Sequence, residues 1–125
     1  MKSPGLLITT YLALLLIVVS ASAQSKKITA AEAKNHVGET QTVCGKVVST
    51  HYATSSKGQP TFLNLDEPYP KEVFTILIWG SERAKFGKPE EKYRNNRVCV
   101  TGKITDFRGK AKIAATDPRQ VEVQK

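Results

Sequence analysis

From Gln41 onward the chain is written in period two, and that pattern limits its folding more than any other feature. Segments at about 41–52, 60–66, 72–79, 97–105 and 110–116 are rich in Val, Ile, Phe and Thr and are separated by turn residues. Short β-branched and aromatic runs broken by Gly, Pro, Ser and Asp read as strands. Ala53-Thr-Ser-Ser-Lys-Gly-Gln-Pro60 is a loop by composition, Glu67-Pro-Tyr-Pro70 a turn, and Phe107-Arg-Gly109 the tip of a hairpin. Two helical signals interrupt the strands. Thr29-Ala-Ala-Glu32 is a capping box that predicts a short helix stopping near Gly38, and Gly80 to Phe86, with Ser81 as cap, predicts another.

Helix, three strands, short helix, two strands is the element order of the OB-fold, a small Greek-key barrel. The expected fold is therefore all-β: a five-stranded barrel with a short N-terminal helix and a short helix between strands 3 and 4. Gly45 and Gly102 fall inside strands that must bend to close such a barrel, where a missing side chain helps.

The first 23 residues are of another kind. Lys2 precedes an apolar run from Leu6 to Val19, 14 residues interrupted only by Thr9 and Thr10, and Ala21-Ser-Ala23 offers the small-x-small pattern of a cleavage site. As a helix the run spans about 21 Å, short of the roughly 30 Å hydrocarbon core of a bilayer. The expectation is a signal peptide at 1–23 and one domain at 24–125, exported to the periplasm or beyond, with no stable membrane anchor.

Export to an oxidising compartment favours a disulfide between the two cysteines. Cys44 and Cys99 lie in the similar segments Val43-Cys-Gly-Lys-Val47 and Val98-Cys-Val-Thr-Gly-Lys-Ile104. If the valines point inward, both thiols point outward on one face, and a bridge follows where the first and fourth strands pair. The alternative is two unpaired cysteines used as small apolar residues. No Cys-x-x-Cys or histidine spacing suggests a metal.

Those two segments, with Gly58-Gln-Pro-Thr-Phe-Leu-Asn-Leu-Asp66 and Phe74-Thr-Ile-Leu-Ile-Trp79, resemble the successive strands of small exported bacterial OB-fold modules. Such modules occur alone or beside secreted nucleases and are usually described as nucleic-acid-binding. The resemblance covers residues 28 to 123. Phe62-Leu-Asn-Leu-Asp66 is also similar to the second strand of anticodon-binding OB domains, with the aspartate one position early.

The residues themselves supply two clues to a site. The chain carries 19 Lys and Arg against 11 Asp and Glu, and the excess lies in the second half: residues 80 to 125 hold 12 basic and 6 acidic groups. Lys103, Arg108, Lys110 and Lys112 surround the last hairpin, with Lys57 in the first loop, a distribution suited to a phosphate chain. The competing reading is a solvated basic face. Aromatic rings are the second clue, because single-strand binding needs flat apolar surfaces beside cations. Phe62 is opposite in parity to Leu63 and Leu65, Tyr52 and Tyr69 stand at strand ends, and Phe107 lies in the basic hairpin. Phe74, Phe86 and Trp79 are read as core, although Phe74 to Trp79 is apolar almost throughout and fixes no face for Trp79.

Catalysis has little support. Asp66 and Glu67 are adjacent, Ser55 and Ser56 lack a nucleophile elbow, and His36 and His51 read as surface or capping residues. No cofactor motif appears. The function expected is binding of nucleic acid, single-stranded and sequence-tolerant. The alternatives are another anionic ligand in place of nucleic acid, a periplasmic module for a small anionic or cationic ligand, or a module docking on an exported nuclease or envelope protein.

Overall fold

The computed structural model describes residues 26–125, so the predicted signal peptide and cleavage site lie outside the described residues. Alternation of Val43 and Val47 with polar neighbours makes one long strand of Thr40–Tyr52, and the other strands assemble around it. In chain order the strands are β1 (Lys27–Thr29), β2 (Thr40–Tyr52), β3 (Thr61–Leu65), β4 (Phe74–Ile78), β5 (Arg97–Lys103), β6 (Thr105–Phe107), β7 (Lys110–Ala114) and β8 (Val121–Val123). Two short helices, α1 (Gly80–Phe86) and α2 (Pro89–Lys92), stand between β4 and β5.

The fold is mostly β: one mixed sheet of eight strands, ordered β6-β7-β4-β3-β2-β5-β8, with β1 alongside β2. β5 and β6 are separated only by Ile104, so opposite regions of this order belong to one continuous stretch of chain. The sheet accordingly curls into an all-β barrel. The β4–β7 pair is parallel and the β3–β4 pair antiparallel. Leu63, Leu65, Phe74, Ile76, Ile78, Val98, Val100 and Ile113 fill the interior, all fully buried. Where β5 crosses β7 the walls nearly touch: a β-carbon on Gly102 would stand 2.7 Å from Ile113 Cγ2. Gly45 admits the Asp66 carboxylate, which would lie 2.9 Å from a β-carbon there and accepts the Lys46 N–H. Both glycines thus permit close approach, a more specific reason than bending alone.

The outcome departs from the expected outline in three ways. Each of the five expected segments contains a strand, but the three-residue strands β1, β6 and β8 raise the count to eight. Such short pairings carry too few residues for a periodic signal. The N-terminal capping box forms, with Thr29 and Glu32 exchanging hydrogen bonds, yet it opens only a three-residue 3-10 turn at Ala33–Asn35. A helix of two turns has little intrinsic stability, and here β1 and β2 claim the flanking chain. Finally, α1 starts at Gly80 without a side-chain cap from Ser81, and a second short helix, α2, follows it and opens on Pro89.

Cys44 and Cys99 are directly opposite in the β2–β5 ladder and are joined as a disulfide. The bridge ties the strand at the centre of the sheet to its neighbour across a separation of 55 residues.

Candidate functional site

One irregularity decides which side chains reach the outer face. β2 pairs with β5 through Lys46 and with β3 from Val47 onward, and its register shifts between Val47 and Ser49. A bulge exchanges the two faces of everything beyond it. Val43 and Val47 point inward before the shift; after it, Thr50 and Tyr52 lie opposite the buried Leu63 and Thr61. Ser49 and His51 consequently stand on the outer face, opposite Asn64 and Phe62.

That outer face is the floor of a groove of about 870 Å³. Ser49, His51, Phe62 and Asn64 form its sheet wall, Tyr69, Pro70 and Glu72 come from the β3–β4 loop, and Phe107, Arg108 and Lys110 from the last hairpin. The His51 and Phe62 rings are parallel within 5°, with centroids 6.5 Å apart. Below them runs a polar rung across three strands. Thr75 Oγ1 donates to Asn64 Oδ1 at 2.8 Å, and Asn64 Nδ2 donates to Ser49 Oγ at 2.9 Å. Ser49 Oγ also accepts the Tyr69 N–H at 3.3 Å, which anchors the β3–β4 loop to the floor. Asn64 is buried with both its amide oxygen and its amide nitrogen hydrogen-bonded, so the rung fixes the sheet beneath the rings.

The hairpin supplies charge and a further ring. Phe107 pairs with Lys110 across a two-residue turn in which Arg108 and Gly109 both have positive φ, 54° and 83°. Phe107 is 57% exposed, with the Arg108 guanidinium 5.2 Å and the Lys112 ammonium 5.0 Å from its ring centroid. Among the described residues, neither cation has a carboxylate partner. Lys110 differs: its Nζ donates to Glu72 Oε1 at 2.8 Å and to the Pro70 carbonyl at 2.6 Å. The Glu72 side chain is only 9% exposed, and its other oxygen is buried without a hydrogen-bond partner among the described residues. Lys110 is thus a tie between loop and hairpin, and much of its charge is already answered.

The groove therefore brings together Phe62, Tyr69, Phe107, Arg108 and Lys110, with Lys112 beside Phe107. It does not include Tyr52, Lys57 or Lys103. Tyr52 is turned away by the bulge and lies beneath the Arg83 guanidinium, 3.9 Å from its ring centroid. Lys103 is exposed but sits opposite Thr40, in the part of the sheet built on β5. Lys57 is exposed at the tip of the β2–β3 loop. Of the three aromatic residues read as core, Phe74 and Phe86 are buried, whereas Trp79 is 43% exposed at the end of β4. His51, read as a capping or surface residue, stands in the groove. Its signal was parity with Ser49, which only the bulge made informative. Among the described residues no group of three or more His, Cys, Asp or Glu side chains could hold a metal ion.

No family model matches the chain, and neither does any curated protein. Solved structures do. A chain designated an aspartyl-tRNA synthetase from Leishmania major Friedlin superposes with a TM-score of 0.56 at 12% identity, over 86% of this chain and 22% of that one. The aspartyl-tRNA synthetase from Entamoeba histolytica superposes with a TM-score of 0.51 at 17% identity, over 82% of this chain and 22% of that one. The chain thus corresponds to about a fifth of each, and the likeness is one of fold alone.

Proposed function

We propose that this chain is an exported OB-fold module that binds single-stranded nucleic acid in the groove, by stacking and charge, without catalysing a reaction. The observation that carries the reading is the adjacency of accessible rings and of cations that have no carboxylate partner among the described residues. His51, Tyr69 and Phe107 are exposed and Phe62 stands half-buried beside His51, while Arg108 and Lys112 flank the Phe107 ring. Bases stack on any flat ring, so such a surface tolerates sequence, and the cations follow the phosphates. Asp66, the residue that departs from the anticodon-binding pattern, is occupied by the Lys46 N–H and leaves no obvious base reader at the strand end. The overlap in fold with two aspartyl-tRNA synthetases, proteins named for a tRNA substrate, supports the same direction.

Anisotropy titrations of the domain with labelled single-stranded DNA, duplex DNA and heparin at two salt concentrations test this. Single strands should bind more tightly than duplex, with log affinity falling by about 0.7 per phosphate contact for each unit of log salt. Equal binding to heparin and single strands would reduce the groove to a generic basic face, and no binding to single strands would reject the proposal. One observation favours a second reading. The groove's volume of about 870 Å³ falls within the roughly 300 to 1,000 Å³ of small-ligand sites, and saturable one-to-one binding indifferent to nucleic acid would identify it.

A further inference from the structure

Trp79 lies outside the groove, yet the sheet aims it at the same face. Phe74, Ile76 and Ile78 are fully buried, so Thr75 and Leu77 occupy the outer parity of β4, opposite Asn64 and Phe62. Trp79 continues that parity, with extended backbone at φ −65° and ψ 150°. Its ring does not swing freely. The indole lies against Gly58, where a β-carbon would stand 3.0 Å from both Cε3 and Cζ3, and the Gly80 N–H binds the Gly58 carbonyl at 2.9 Å. The β2–β3 loop is thereby clamped to the end of β4, and 43% of Trp79 remains exposed.

The same loop borders the groove. Ser56 lines it, and Gly58 follows two residues later, at most about 7 Å of extended chain away. Lys57, between them, is exposed and has no carboxylate partner among the described residues. A strand leaving the groove past Ser56 therefore meets one cation and then a rigid indole. An immobilised ring loses little conformational freedom on stacking, which makes it a better platform than a mobile one.

Resting on the groove reading above, we propose that the binding track extends over the β2–β3 loop and that Trp79 stacks an additional base of the single strand, with Lys57 contacting the adjoining phosphate. This gives Lys57 a place that the groove alone does not, and it makes occupancy depend on oligonucleotide length.

Trp79 is the only tryptophan of the chain, so its emission reports contact directly. The probes are a tetramer and a twelve-residue strand of thymidylate, within the roughly 4 to 16 nucleotides that one OB fold covers. Anisotropy measures binding of each, while intrinsic fluorescence measures engagement of Trp79. The twelve-residue strand should quench the emission and the tetramer should quench it far less. Trp79→Ala should weaken the longer strand by roughly 5- to 150-fold, equivalent to about 1 to 3 kcal/mol, and leave the tetramer unchanged. Trp79→Phe, which keeps a ring against Gly58, controls for folding and should lose less. Binding of the longer strand with unchanged emission and unaltered affinity in both variants overturns the extension while leaving the groove reading intact. Failure of both strands to bind overturns both.

Discussion

Replacing Lys110 with alanine should destabilise the domain more than its exposure suggests. The Lys110 side chain is 42% exposed, so its attraction to Glu72 is screened and contributes little alone. What the substitution leaves behind matters more. Glu72 is 9% exposed and already has one oxygen without a partner; losing the 2.8 Å bond strands the whole carboxylate. An abandoned buried acceptor costs about 1 to 3 kcal/mol. For a domain of this size each kcal/mol moves the melting temperature by about 4 to 8 °C, so Lys110→Ala should melt between about 4 and 24 °C below the parent. Removing the stranded group as well should recover most of the loss, and Glu72→Ala with Lys110→Ala should be more stable than Lys110→Ala alone. Thermal melts followed by circular dichroism supply all four corners of the double-mutant cycle. A Lys110→Ala melt within a degree of the parent, or strictly additive effects, would refute the argument that a buried carboxylate depends on this lysine.

Phe62→Ala should weaken single-strand binding by about 1 to 3 kcal/mol without altering its salt dependence, whereas Arg108→Ala with Lys112→Ala should lower the salt slope by about 1.4; titrations at several salt concentrations separate the two effects. Replacing Cys44 and Cys99 together by serine should cost about 4 kcal/mol in the chain-entropy model for a 55-residue separation, measured by urea unfolding with and without reductant. Gly102→Ala should cost about 1 to 3 kcal/mol through collision with Ile113, and Ile113→Ala in the same chain should relieve part of the strain. Hydrogen bonds from Arg119 hold the Asp117 carboxyl down at about 2, against an ordinary value of 3.8. The stabilisation from this lowered value is present above pH 4 and lost as pH falls through about 2, so an NMR titration should place the Asp117 midpoint near 2.

Much of the barrel was legible because buried and exposed positions alternate. Val43 and Val47, Leu63 and Leu65, and Val98 and Val100 declare their inner faces through period two, and the outward placement of Phe62 follows from the same rule. The pairing of Cys44 with Cys99 needed one further assumption, that the first and fourth strands are neighbours. The candidate site was less legible, for identifiable reasons. Tyr52 and His51 exchanged roles because a bulge of one residue carries no compositional mark yet reverses every face after it. Lys110 and Lys112 share parity and charge in the sequence, but only one of them meets a buried glutamate arriving from 38 residues away. Trp79 ends an apolar run with no readable face, and its exposure depends on a distant glycine loop.

The sequence by itself determined where the five longer strands form, most of the residues that fill the interior and which half carries the positive charge, because these depend on side-chain polarity and local backbone preference. Only the tertiary structure decided the register shift in β2, the closure of β5 against β7 at Gly102, and which cations remain free. Each of those depends on segments far apart in the chain meeting in space, and no local pattern encodes the distance between them.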